Sequence, residues 1–302
     1  MNRVSQSTLD ASAGSAAELI ERLGMVLYVG AGTILIVVLA LALWGVFGRG
    51  RPIRERWWIV GAGIVFPSVA LTVLLVHSLS IGSALDGLGH SSREPMRVHV
   101  IGRQWWWEVR YELPGQQAQI VLANELHVPL DQPVELSLTT ADVIHSFWVP
   151  SLAGKVDMIP GRANRIQLKA LSEGVFRGQC AEFCGGPHAL MALHVVAQSA
   201  DDFRIWRENQ ARPAVSGNAL FNARCAACHS VRGTDAAGDR GPDLTHIASR
   251  LSIAAGTLAN TPGNMMGWLA DSQHAKPGNL MPAMRLTGEE LQALAAYVQS
   301  LK

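Results

Sequence analysis

Twelve consecutive residues, Cys180–Met191 (C-A-E-F-C-G-G-P-H-A-L-M), offer two thiols, an imidazole and a thioether. A second imidazole, His145, lies upstream in D-V-I-H-S-F-W-V-P. Soft sulfur with imidazole is the donor set copper prefers, and a mononuclear blue-copper site needs only one cysteine. Two cysteines one loop apart can instead bridge two metal ions, each capped by one histidine. Structural zinc is the competing reading of a Cys/His cluster. The C-x3-C spacing and the trailing methionine favour copper over zinc.

The other two cysteines stand in C-A-A-C-H, residues 225–229. This is the attachment signature of a c-type haem: two thiols add to the vinyl groups and His229 follows as an axial ligand. A disulfide framework is the plain alternative for four cysteines outside the cytoplasm. The histidine and methionine beside each pair argue for cofactors instead. A short helical pattern (GNALFNARC) precedes the haem motif, a glycine-rich loop with G-P-D-L follows it, and K-P-G-N-L-M-P stands before a last amphipathic segment. That order resembles cytochromes c, whose sixth ligand is a methionine on the loop before the final helix. The resemblance points to Met281, with Met284, Met265 and Met266 as fallbacks. His246 and His274 are expected to be surface or supporting residues rather than ligands.

The elements that must carry these groups follow from patterning. Residues 96–199 alternate short strand-like runs with turn signals: MRVHVIG, WWWEVRY, AQIVLA, VELSLTT, RIQLKA and ALHVVAQ. They predict a small antiparallel sandwich or barrel. A hydrophilic stretch, 207–216 (RENQARPAVS), reads as a linker between two separately folding domains, the second at 217–302. Thr287 and Glu290 form a capping-box pair at the start of the last helix.

The 302-residue chain carries a net charge of +1, so bulk electrostatics offer nothing to a polyanion such as nucleic acid. Only 16% of its residues are charged, and much of the apolar content lies before residue 85. Residues 24–48 and 57–81 carry no formal charge at neutral pH, and each is long enough for a transmembrane helix, which needs roughly 20 apolar residues. Together they give a hairpin over 23–83, followed by a linker at 83–95. Arg49, Arg51, Arg54 and Arg56 outweigh Glu55 in the loop between the spans, which places that loop in the cytoplasm. The N-terminal segment, 1–22, and everything after the second span then lie outside. Trp44, Trp57 and Trp58 stand where interfacial anchors belong. The first block is too long, and its flank too polar, for a cleavable secretory signal. There is no cysteine placed for a lipid anchor.

Four motifs, in order behind two membrane helices, make the chain resemble cytochrome c oxidase subunit II, in its caa-type form with a fused cytochrome c. They are Q-W-W-W-E (104–108), D-V-I-H-S-F-W-V-P (142–150), K-V-D-M-I-P-G-R (155–162) and C-A-E-F-C-G-G-P-H-A-L-M (180–191). The resemblance implies a multidomain chain: a transmembrane hairpin, a cupredoxin barrel at 96–200 and an all-α cytochrome c domain. It implies a dinuclear CuA centre bridged by Cys180 and Cys184 and capped by His145 and His188. Met191 and the Glu182 carbonyl would be its weak ligands. The Glu182 side chain would reach a magnesium ion at the interface with subunit I. Trp105 would accept electrons over the copper site. Glu55, in E-R-W-W, resembles a glutamate at a proton pathway into subunit I, against the plainer reading of a carboxylate paired with Arg51, Arg54 or Arg56.

The implied function is electron uptake at the covalent haem, transfer to CuA, and delivery to subunit I, where oxygen is reduced to water and protons are translocated. The implied partners are subunits I and III and an external cytochrome c or upstream respiratory complex. The implied setting is a bacterial plasma membrane, with both redox domains on the periplasmic side. Two other readings compete. A nitric oxide reductase would use a similar electron-accepting subunit. A membrane-tethered copper-handling protein would need one exchangeable copper, and neither a bridging pair nor a haem.

Overall fold

A computed structural model describes residues 12–48, 54–88, 95–112, 120–214 and 216–302. Arg49 and Arg51 of the basic loop lie outside the described residues, as do residues 1–11 and 89–94. The chain divides into a hairpin unit, Ala16–Ser92, and a globular unit of Met1–Ser15 with Arg93–Lys302.

Helix α1 spans Ser15–Phe47, starting earlier than the apolar block because Ser15–Arg22 has no helix breaker. Its 33 residues extend roughly 50 Å, longer than a hydrocarbon core of roughly 30 Å, so the polar first turns reach beyond it. The second helical run starts at Glu55, widens to π geometry over Trp58–Val65, and continues as α2, Phe66–Leu88. The Phe66 amide bonds to the Gly61 carbonyl, five residues back. Pro67 stands at this junction; it has no N–H, and its ring would clash with the carbonyl four residues earlier in a regular helix. Both runs are long and apolar enough to cross a membrane.

In the globular unit, ten strands form two sheets. They are β1 Met96–Arg103, β2 Trp106–Tyr111, β3 Ile120–Ala123, β4 Glu125–Pro129, β5 Val134–Thr140, β6 His145–Trp148, β7 Val156–Met158, β8 Asn164–Leu168, β9 Gly174–Cys180 and β10 Ala192–Gln198. The sheet orders are β3-β2-β1-β5-β8 and β4-β10-β9-β6-β7. The sandwich is not purely antiparallel as expected: β1 pairs with β5, and β4 with β10, in parallel. Alternation predicts which face of a strand is buried but says nothing about its neighbour's direction. Val98 and Val100 of β1 face Leu136 and Leu138 of β5 in the core, with Leu126, Phe147 and Val195 from the second sheet. Residues 13–15 also belong here: Ala13 N–H donates to Ser151 O (2.8 Å), and Ala13 O accepts from Leu171 N–H (2.7 Å).

Helix α3, Ala200–Ala211, is capped by Ser199 and runs through the start of the segment read as a linker. The remainder is built from α4 Ala219–Arg224, a short hairpin of β11 Ser252–Ile253 and β12 Leu258–Ala259, α5 Pro262–Ala270, α6 Ser272–Ala275 and α7 Gly288–Ser300. Phe221 of α4 packs on Tyr297 of α7 within a cluster that includes Val231, Met265, Leu294 and Val298. This part is not detached from the sandwich as the linker reading implied. Leu251 N–H donates to Glu125 (2.8 Å), Ser252 Oγ lies 3.1 Å from His194 Nδ1, and Ala192 N–H donates to Ala255 O (3.0 Å). Such short loop-to-strand bonds leave no trace in composition.

The capping box of α7 forms as expected, with Thr287 and Glu290 bonded reciprocally. Thr287→Ala is therefore expected to lower stability by about 1 kcal/mol, read as an earlier thermal transition of the C-terminal part by circular dichroism.

Candidate metal and haem sites

Two strands and one loop assemble the sulfur cluster. Cys180 ends β9, His145 opens β6, and the loop into β10 carries Cys184, a turn of 3-10 helix at His188–Leu190, and Met191. Phe147 pairs with Cys180 across β6 and β9, which brings His145 to the thiols from 35 residues upstream. His145 is fully buried, and Gly102 makes the room: a Cβ there would lie 2.7 Å from the imidazole Cδ2.

The donor atoms form a chain. His145 Nδ1 lies 3.8 Å from Cys180 Sγ, the two Sγ atoms are 3.8 Å apart, and Cys184 Sγ lies 3.5 Å from His188 Nδ1 and 3.9 Å from Met191 Sδ. The Glu182 carbonyl sits 3.2 Å from Cys180 Sγ. The sulfurs are too far apart for a disulfide, whose bond is about 2.05 Å. With metal–thiolate bonds of roughly 2.3 Å, both can bind one ion or bridge two, so this donor set fits copper. All six residues expected around the metal are brought together, although the Glu182 side chain points to solvent.

The electrostatics suit a cation. Burial disfavours a charged His145, yet hydrogen bonds to Asp142 and Cys180 outweigh it and hold the imidazole at about 9. Its Nε2 bonds to Asp142 Oδ1 (2.8 Å), which turns Nδ1 toward the sulfurs. The two thiols share a proton: a hydrogen bond to Cys184 pulls Cys180 well down, and the same bond with burial pushes Cys184 up. Asp142 opens one of the quoted motifs, but its orienting role was not read from the sequence. Only the three-residue offset to His145 hinted at it.

Trp105 lies in the turn before β2 rather than in the strand, which begins at Trp106. Trp107 is fully buried against Phe147 and His145, and Trp106 stacks under Arg103. Trp105 Nε1 and Gln104 Nε2 both donate to the Cys184 carbonyl, at 2.9 and 2.8 Å.

A cavity of about 530 Å³ is lined by Cys225, Cys228, His229, Met281 and, from the sandwich, by Gln104 and Trp105. His229 Nδ1 donates to Pro242 O (2.8 Å), which leaves Nε2 free as an axial donor. A Cβ on Gly241 would lie 2.7 Å from the imidazole Cε1, so glycine is required beside the ring. Asn279 Oδ1 accepts from Met281 N–H (2.8 Å), and Gln273 donates to Met281 O (3.0 Å), fixing the loop. Met265 also lines the cavity but belongs to the core cluster; Met266 and Met284 do not line it. The paired thiols, free imidazole nitrogen and thioether fit a covalent haem. His274 is exposed as expected, whereas His246 is buried and bonded to Arg212 O (2.9 Å).

Comparison with known proteins agrees with this geometry. The profile of the cytochrome c oxidase subunit II periplasmic domain matches residues 112–199, and that of cytochrome c matches 214–302. Cytochrome c oxidase subunit 2 of Alkalihalophilus pseudofirmus is 38% identical over 267 residues, covering 84% of this chain and 75% of that protein. Subunit 2 of Bacillus sp. strain PS3 is 34% identical, covering 82% and 73%. That of Oenothera berteroana is 33% identical, covering 59% and 79%. Fold and sites thus define a membrane-anchored electron-transfer subunit with copper and haem c domains. The chain belongs to the cytochrome c oxidase subunit II family, in the form with a C-terminal cytochrome c domain. This favours the oxidase reading over a nitric oxide reductase subunit or a copper-handling protein.

A metal ion has to displace the protons held by His145 and the thiol pair. With His145 at about 9 and Cys184 pushed up, copper affinity is expected to fall as pH drops from about 8 to about 6, with measurable proton release on binding. Isothermal titration of the metal-free protein in buffers of different ionisation enthalpy checks this; an affinity unchanged with pH would contradict it.

Proposed function

We propose that the chain takes electrons from an external cytochrome c or an upstream respiratory complex at its own haem and passes them through Trp105 to a CuA centre, for delivery to subunit I. One observation carries this reading. Trp105 lines the cavity beside Cys225, Cys228, His229 and Met281, and its indole N–H donates to the carbonyl of Cys184. One aromatic side chain thus touches both sites.

When bound, the copper pair and the haem supply one-electron carriers, and Met/His ligation gives the haem a raised potential. Cys225 and Cys228 would tether the haem, and His229 and Met281 would be its iron ligands. Cys180, Cys184, His145 and His188 would hold the coppers, with Met191 and the Glu182 carbonyl as weak ligands. Asp142 keeps the His145 ring turned toward the sulfurs. The exposed Glu182 carboxylate is available to a magnesium ion at a subunit I surface. Subunit III completes the assembly.

The hairpin anchors the chain in a bacterial plasma membrane, with the redox domains periplasmic. The bonds of Ala13 to Ser151 and Leu171 support an N-terminus on the same side as those domains. Glu55 lines a hollow with Trp44 and Trp58 at the end of the spans next to the basic loop. An ionisable group at a membrane edge loads protons from water at little cost, so Glu55 suits proton delivery toward subunit I.

Metal and haem analysis of the purified chain is expected to return about two coppers and one covalent haem. One copper, or zinc in its place, without a mixed-valence EPR signal would sink the CuA reading. Cys184→Ser should abolish the dinuclear signal and leave the haem spectrum intact. Met281→Ala should lower the haem potential and open the sixth position to added ligands, because loss of the thioether favours the ferric state. A potentiometric titration in which neither changes would move the sixth ligand elsewhere.

A further inference from the structure

The seam between sandwich and cytochrome domain holds a buried cation that neither ligand set uses. Lys276 opens the K-P-G-N-L-M-P loop of the cytochrome domain, and it is only 3% exposed. Its Nζ donates to Trp105 O (2.7 Å), Leu190 O (2.8 Å) and Ala254 O (3.3 Å). An ammonium has three protons, so these carbonyls saturate it.

Each acceptor belongs to a different loop. Trp105 lies in the β1–β2 turn, Leu190 between His188 and Met191, and Ala254 between β11 and β12. On its own side, Lys276 O accepts from Asn279 Nδ2 (2.8 Å), and Asn279 Oδ1 accepts from Met281 N–H (2.8 Å). A continuous chain of bonds therefore runs from Met281 through Asn279 and Lys276 to Trp105, and from the Trp105 indole to Cys184. A buried ammonium is costly unless fully bonded; its removal would take the ammonium donor from Trp105 O and leave Leu190 O and Ala254 O to the single hydroxyl of Thr257.

We propose that Lys276 is a positioning residue for electron transfer between the haem and copper sites, clamping the Trp105 turn and the copper-ligand loop to the methionine loop. The inference rests on the reading that Met281 and Cys184 hold those two groups. Burial pulls the Lys276 ammonium down to about 7, and the charge of the Cys184 sulfur opposes that; a positive charge held here stabilises the more negative, reduced copper cluster.

The test uses the full chain in its assembled, detergent-solubilised oxidase. Lys276→Met is expected to keep the copper EPR signal and the haem spectrum. It should slow flash-initiated transfer from haem to copper by about tenfold or more, because small misplacements of reacting groups have effects of this size. The copper midpoint potential should fall in Lys276→Met and recover toward wild type in Lys276→Arg, a shift that a purely packing role would not produce. In the unsubstituted oxidase, amine-directed labelling with mass spectrometry should leave Lys276 protected while Lys155 and Lys169 react. Labelling of Lys276 as fast as Lys155 overturns the proposal whether or not the variants assemble. So do an unchanged rate and potential in a variant with both spectra intact. Absence of the copper or haem signal from the unsubstituted protein is a different failure, that of the site assignment, and takes this inference down with it.

Discussion

Two thiols held 3.8 Å apart at the end of β9 are the constraint around which the globular unit is arranged. Left alone, such a pair would oxidise or share a proton. Here the main chain keeps both sulfurs aimed at one point. The Cys180 amide bonds to Met191 O (2.9 Å), the Cys184 carbonyl takes two donors from the β1–β2 turn, and His145 is oriented by Asp142. The sandwich core beneath, with Trp107 against Phe147, prevents the loop from collapsing inward. Metal ligands held in this way need little rearrangement between oxidation states, which is what electron transfer requires of them.

The cytochrome domain meets this loop through polar contacts buried at the seam. Glu125 shows how they are balanced. Burial raises its affinity for a proton, yet bonds from His127 and the Leu251 amide, with Arg250 nearby, keep it ionised. His127 in turn stacks on Trp206 of α3, at 4.1 Å between ring centres. The helix that follows the sandwich is thereby part of its wall. A seam of this kind favours one docked arrangement over a range of loosely tethered ones, because breaking it would strand buried polar groups.

The membrane hairpin obeys a different rule. Its large apolar residues face outward, as suits helices to be covered by lipid and neighbouring membrane helices, and a π-helical stretch lies just before Pro67. Thr33, Thr72 and Ser80 return their hydroxyl protons to carbonyls one turn back, so these side chains are satisfied within the helix.

The sequence by itself determined what depends on near neighbours in the chain. Cys225, Cys228 and His229 are legible because haem attachment is a matter of adjacent residues. Cys180, Cys184, His188 and Met191 are legible because one loop carries them all. The two spans follow from uncharged length, and the α7 cap from a three-residue offset. The capping role of His145 came only through family resemblance, since nothing local ties that imidazole to thiols 35 residues away. Only the tertiary structure decided the parallel strand pairs, the space that Gly102 leaves for an imidazole, the burial of His246, the packing of α3 where a linker was expected, and the three carbonyls around Lys276. The physical reason is common to these. Main-chain acceptors, packing space and strand direction belong to no residue type, so they exist only once distant segments have met.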